Sequence, residues 1–221
     1  MKNIISKLDF TEIFDHYNVR IDVHRKINDD LQELIDIENG EKTRFEFKRK
    51  QFVNYILGLV DIDAGYTANS VKRLGCGGPA ILSENPQAYK QVYELEKYLK
   101  TTSPLDIPNK IKGIRISYLG LGIGSEMACL LRPNICWVTN RRTYWIKLLF
   151  DRENISYANE MTKSQSEIAL KVWHIDHPIV GAKLKDLVGE VDPALLPSNL
   201  DQYFYLFADC IATSLYDYFY E

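Results

Sequence analysis

Apolar residues recur at helical spacing along most of this chain, and that period restricts it to a helical architecture. Ile27, Leu31, Leu34 and Ile35 fall at i, i+4, i+7 and i+8, and Asn39-Gly40 supplies a stop. Val53, Ile56, Leu57 and Val60 repeat the period. Asn85 as N-cap, with Pro86 at the first helical position, opens a helix carrying Tyr89, Val92, Leu95 and Leu99 on one face. Ser164-Gln-Ser-Glu167 reads as a capping box before Ile168 and Val172. A last helix starting at Ser198, with Asp201 in its first turn, aligns Leu200, Phe204, Phe207, Ile211 and Leu215. Trp173-His-Ile-Asp-His177 runs into Pro178 and is expected to close a helix. Strand signals are sparse. Thr43–Lys48 alternates over a few residues and reads as a short strand or as a helix lead-in.

The expected class is therefore mainly α with little β, one compact unit over residues 1–221. A chain of 221 residues with 46% hydrophobic and 26% charged residues can bury a full core. No apolar stretch approaches the length of a membrane span, and the N-terminus MKNIISKLDF lacks the apolar core of a signal peptide. Cys76, Cys129, Cys136 and Cys210 form no Cys-x-x-Cys, which argues against a zinc knuckle or an iron–sulfur cluster. They are expected to be reduced core thiols in a cytoplasmic protein. The sequence contains no serine elbow, Walker loop or His-Glu-x-x-His.

Ile116–Leu131 reads ISYLGLGIGSEMACLL, with Gly120, Gly122 and Gly124 at alternate positions between apolar flanks. A G-x-G-x-x-G nucleotide loop would put its third glycine at Ser125 and needs a preceding strand that is absent from the pattern. Glycines let a backbone approach a phosphate without a Cβ in the way, and the start of a helix favours an anion. Amides of Gly122, Gly124 and Ser125 are expected to point outward there, gripping backbone and not bases. The bland alternative is a glycine-rich turn between two core helices. Charge bears on the choice. From Ile107 to Phe150 there are seven basic residues (Lys110, Lys112, Arg115, Arg132, Arg141, Arg142, Lys147) against one acid, Glu126, within a chain whose net charge is −3.

Gly122-Ile-Gly-Ser-Glu-Met-Ala128 resembles the hairpin and second helix of helix-hairpin-helix proteins, pattern L-P-G-h-G-x-x-x-A, with the whole motif at about 107–131. The continuation Arg132–Trp145 is similar to the segment that follows this hairpin in the DNA glycosylase superfamily of endonuclease III and 8-oxoguanine glycosylases. Tyr66-Thr-Ala-Asn69-Ser-Val-Lys-Arg-Leu74 resembles the loop from which those enzymes insert a polar side chain into the DNA stack. The resemblance implies two helical lobes flanking a cleft, and a monomer that binds double-stranded DNA with a flipped base. It implies no cofactor and no metal. The implied activity is a monofunctional DNA N-glycosylase excising a damaged or modified base, in repair or in antiviral defence. Gly122, Gly124, Ser125, Arg141, Arg142, Asn69 and Tyr66 would contact DNA, with Trp137 and Tyr144 at the base pocket.

Two positions depart from the family. The Schiff-base lysine of the bifunctional enzymes is replaced by Glu126, which excludes lyase chemistry by that amine. The catalytic aspartate falls near Thr139 and Asn140. Asn140 leaves three alternatives open: a catalytically silent DNA binder, an inactivating replacement of a natural Asp, or catalysis by another carboxylate such as Asp176 or Asp201. His174 and His177 at i, i+3 are weighed as metal ligands against helix-end capping or packing, and packing is favoured.

Overall fold

A computed structural model describes residues 1–57, 87–164 and 173–220, of Trp173 the backbone only. The expectations for Val60, Tyr66, Asn69, Cys76, Asn85, Pro86, Gln165–Glu167 and Ile168–Val172 lie outside them. The described residues form ten α-helices and no strand: α1 Lys2–Ile5, α2 Phe10–Ile37, α3 Lys42–Ile56, α4 Ala88–Leu99, α5 Ile107–Ile114, α6 Leu121–Leu131, α7 Arg141–Arg152, α8 Ile155–Ser164, α9 Trp173–Gly189 and α10 Leu200–Phe219.

The long α2 starts where Asp9 accepts the Thr11 amide at 2.8 Å, a side-chain cap for one of the orphan donors. Its buried face runs Ile13, Tyr17, Ile21, Ile27, Leu31 and Leu34, close to a 3.6-residue period. The partner is α10, whose Phe207, Ile211 and Leu215 are fully buried. Tyr17 meets Phe207 edge-on at 5.4 Å and donates its hydroxyl to Asn199 at 2.9 Å. The end of α6 is tied to α2 by His24 against the Leu130 carbonyl (2.6 Å) and by Asn28 donating to that of Leu131 (3.2 Å).

Thr43–Lys48 takes the second of its two readings and opens α3, whose Phe45, Phe52 and Ile56 share a buried stripe that outweighs a few residues of alternation. One local expectation changes. Trp173–His177 opens α9 and the helix continues through Pro178, which removes only its own N–H from the ladder. Ser164 ends α8, its hydroxyl donating back to the Met161 carbonyl (3.1 Å), and Gln165–Glu167 of the expected capping box lie outside the described residues. The last helix begins at Leu200 with Asp201 in its first turn, and bends at Tyr203 (φ −130°). The bend has an identifiable cause: the Tyr205 amide leaves the helical ladder and donates to Pro133 at 2.8 Å.

Inside the bundle sits an ionic cluster. Arg20 of α2, Glu126 of α6, Arg142 of α7 and Asp209 of α10 are each at most 6% exposed. Arg20 donates to Asp209 and lies 3.9 Å from Glu126, while Arg142 lies 3.7 Å from Asp209. Two cations and two anions make the cluster formally neutral, which is what permits its burial. Cys129, Cys136 and Cys210 are free, buried thiols, and burial pushes Cys136 up to about 11 and Cys210 up to about 12. Removing Asp209 would leave two buried guanidiniums, Arg20 and Arg142, with Glu126 as the cluster's one remaining carboxylate. Asp209→Ala is expected to lower the unfolding free energy by about 3–5 kcal/mol, measured by urea denaturation. A loss below about 1 kcal/mol would show that the cluster does not depend on its carboxylate.

Candidate nucleic-acid interface

The hairpin joins α5 to α6. Helix α5 ends at Arg115, which takes the left-handed conformation (φ 55°). A turn follows, closed by the Leu119 amide on the Ile116 carbonyl at 3.2 Å, with Tyr118 also left-handed (φ 64°). Gly120 is extended and caps α6. The Gly124 amide donates to the Gly120 carbonyl at 3.0 Å, closing the first helical turn. The three amides without an acceptor inside the helix are thus those of Leu121, Gly122 and Ile123. The amides without a helical acceptor thus differ from the expected Gly122, Gly124 and Ser125, since α6 starts at Leu121.

Gly124 and Gly122 do different things. A Cβ on Gly124 would lie 2.4 Å from Ile111 Cδ1 and 2.7 Å from its Cγ1, so this glycine is where α5 and α6 cross. A Cβ on Gly122 would meet Asn140 Cβ at an ordinary 3.7 Å. Asn140, placed by the resemblance where a catalytic carboxylate belongs, therefore lies beside the hairpin. It is the N-cap of α7: its Oδ1 accepts the amides of Arg142 (3.0 Å) and Thr143 (3.2 Å), and Thr143 Oγ1 accepts the Asn140 amide (2.9 Å). That reciprocal box orients Asn140, and an aspartate would accept the same two bonds.

A buried polar chain holds these pieces together. The Thr139 amide donates to Ser125 Oγ at 2.8 Å. His177 Nε2 faces the Pro104 carbonyl at 2.9 Å, an acceptor only, so Nε2 carries the proton and Nδ1 accepts from Thr139 Oγ1 at 2.5 Å. Trp137 stacks on His177 (4.6 Å between ring centres) and donates its indole N–H to the His177 carbonyl at 2.8 Å. With both nitrogens engaged, His177 packs and positions. Ser125, fully buried, reaches no ligand; it anchors Thr139.

The remaining expected residues scatter. Arg141, at the first position of α7, is exposed. Arg142, expected at a phosphate, is instead buried against Asp209, because its position in α7 faces the bundle interior. Trp137 and Tyr144 are 8% and 6% exposed, filled in by neighbours: His177 and Tyr205 around Trp137, the Lys147 ammonium over Tyr144. Asp201 lies with Lys185, Phe204 and an edge of Trp137 around a depression of about 660 Å³. Of the seven basic residues, Lys112, Arg115 and Arg141 are exposed. Lys110 sits over the Tyr98 ring at 3.6 Å, Arg132 donates to the carbonyls of Leu99 and Thr102, and Lys147 pairs with Asp151 at 3.2 Å. Lys112 and Arg115 line a second depression of about 640 Å³ with Pro108, Leu119, Gly120 and His174.

Two buried groups make opposite demands on pH. Burial lowers His177 from 6.5 to about 4, so the unfolded chain takes the proton first as pH falls, and stability complete above pH 6.5 is lost toward pH 4. Glu96 of α4 is fully buried with neither oxygen hydrogen-bonded among the described residues, and burial raises it from 4.5 to about 8. Its neutral form suits the fold, so stability complete below pH 4.5 is lost as pH rises toward 8. Between pH 4.5 and 6.5 the two oppose each other; between 6.5 and 8 Glu96 acts alone. The urea midpoint is expected to fall over that upper interval, and Glu96→Gln to abolish the fall. A fall that survives the substitution refutes the assignment to Glu96.

No protein-family model, curated protein or solved structure matches the chain.

Proposed function

We propose that this chain is a helix-hairpin-helix DNA-binding protein that holds the phosphate backbone of double-stranded DNA at the start of α6. One observation carries the reading: α6 starts with three amides that have no helical acceptor, those of Leu121, Gly122 and Ile123, and Gly120 and Leu121 line one depression with the exposed cations Lys112 and Arg115, while exposed Arg141 follows Asn140, the residue facing Gly122. Amides and helix dipole favour the phosphate oxygens, and the cations release counterions from the duplex. Nothing in that set reads a base edge, so binding is expected to be indifferent to sequence.

Fluorescence anisotropy with unrelated duplexes across a salt series tests it. Arg115→Ala with Arg141→Ala is expected to weaken all duplexes alike and to flatten the log–log salt slope by about 2, roughly 0.9 for each phosphate that is no longer neutralised. Gly122→Ala is expected to fold, since its Cβ would meet Asn140 Cβ at an ordinary 3.7 Å. Gly124→Ala is a poor probe: it forces α5 from α6 and is expected to cost stability, about 1–3 kcal/mol. A folded Arg115/Arg141 double variant with unaltered affinity and slope removes the hairpin from the account.

Base excision is the second reading, favoured by the placement of Asn140 against Gly122. Two acids of the bundle speak for binding without cutting, because Glu126 and Asp209 are enclosed with Arg20 and Arg142. Asn140→Asp preserves the cap and supplies a carboxylate that stabilises a sugar cation. Abasic-site formation by that variant on duplexes carrying oxidised, alkylated, deaminated or hypermodified bases would establish excision chemistry. No release across the panel leaves binding as the function.

A further inference from the structure

Helix α9 is apolar on two sides. Its inward face carries Val180, Leu184, Leu187 and Val188, all buried in the bundle. At about 100° per residue, Ile175, Pro178, Ile179 and Ala182 fall on the opposite side, at i, i+3, i+4 and i+7. All four are exposed, Ile175 to 65% and Ile179 to 43%. A surface helix turns polar residues to water, and one that is apolar all round is a buried one. Two isoleucines a turn apart, with a proline and an alanine beside them, mark a surface that packs against another molecule.

The flank of the stripe says which molecule. Asp176 and Lys183 are seven residues apart, two helical turns, and so share one side of α9. That side adjoins α7: the Lys183 ammonium lies 5.7 Å from the centre of the Phe150 ring, and Lys147 feels the Asp176 carboxylate. A helix packed antiparallel on a copy of itself meets each flank with the same flank read in reverse. A two-fold axis level with Ile179 and Val180 therefore sets Asp176 beside the partner's Lys183, and Lys183 beside the partner's Asp176. Lys183 already pairs with Asp186 at 3.1 Å, but an ammonium has three donors to share. Other occupants fit less well. DNA needs cations across the contact, and the stripe has none; its continuation toward the C-terminus carries Asp186. A helix lying on a membrane is flanked by Lys and Arg, whereas acid and base alternate here.

We propose that the exposed face of α9 is a homodimer interface, packed antiparallel on α9 of a second copy with reciprocal Asp176–Lys183 pairs. The dimer stands in place of the monomer that the resemblance implies, and it does not depend on the DNA-binding reading.

Sedimentation velocity of the full chain across a concentration series tests the interface. Wild-type protein is expected to dimerise reversibly. Ile179→Glu puts two carboxylates beside the axis and should give monomer at every concentration. Its helical circular dichroism and melting temperature should match wild type, because that side chain is already 43% exposed. Asp176→Lys and Lys183→Asp should each weaken the dimer about tenfold, since each sets like charges together at two symmetric positions. The double exchange should restore wild-type affinity, which a role confined to one chain would not produce. A wild-type monomer throughout the series overturns the proposal and leaves the stripe to a different protein. So does a dimer that folded Ile179→Glu protein forms unchanged, or a double exchange as weak as either single one.

Discussion

Two buried arginines can exist inside this bundle only because two buried carboxylates meet them there. Arg20, Glu126, Arg142 and Asp209 come from four different helices, so charge neutrality is a condition on how α2, α6, α7 and α10 assemble. An apolar face tolerates sliding by a fraction of a turn; a guanidinium that must find its carboxylate does not. The constraint spans the chain, since Arg20 and Asp209 are 189 residues apart. It fixes the helix that follows the hairpin and the helix that follows Asn140 against one pair of long helices.

Within that frame, the chain from Ser125 through Thr139 to His177 and Pro104 sets a finer relation. It links the second helix of the hairpin, the segment before α7, the first turns of α9 and the turn leading into α5. Each is a separate piece of backbone, and each supplies one polar group that burial would leave unpaired without the others. The consequence is that the Leu121–Ile123 amides and Arg141 stand in a fixed relation, though none of them belongs to the chain of bonds. Polar groups buried and paired in this way hold the hairpin and the start of α7 as one rigid support.

The helices were legible from periodicity wherever a long face was involved: the Ile27–Leu34 and Phe207–Leu215 stripes are buried as spaced. The hairpin was legible because Gly122 and Gly124, alternating between apolar flanks, suit a close backbone approach and weaken an ordinary helix interior. What the sequence could not convey is which way a charge points. Arg141 and Arg142 are neighbours, and one faces solvent while the other faces Asp209, a difference of about 100° around a helix. The local positive excess counted residues along the chain, whereas a phosphate meets only those on one surface. The same limit applies to Trp137, whose ring is committed to His177, a pairing made by α9 from 40 residues away.

The buried cluster also decides what residue 126 can be. A lysine there would sit beside Arg20 and Arg142 with Asp209 as the lone acid, leaving three buried cations for one anion. Such a cluster would have to release a proton or open to solvent. Glu126 avoids that excess and ties α6 to α2 through Arg20. The acid at this position therefore secures the orientation of the hairpin's second helix.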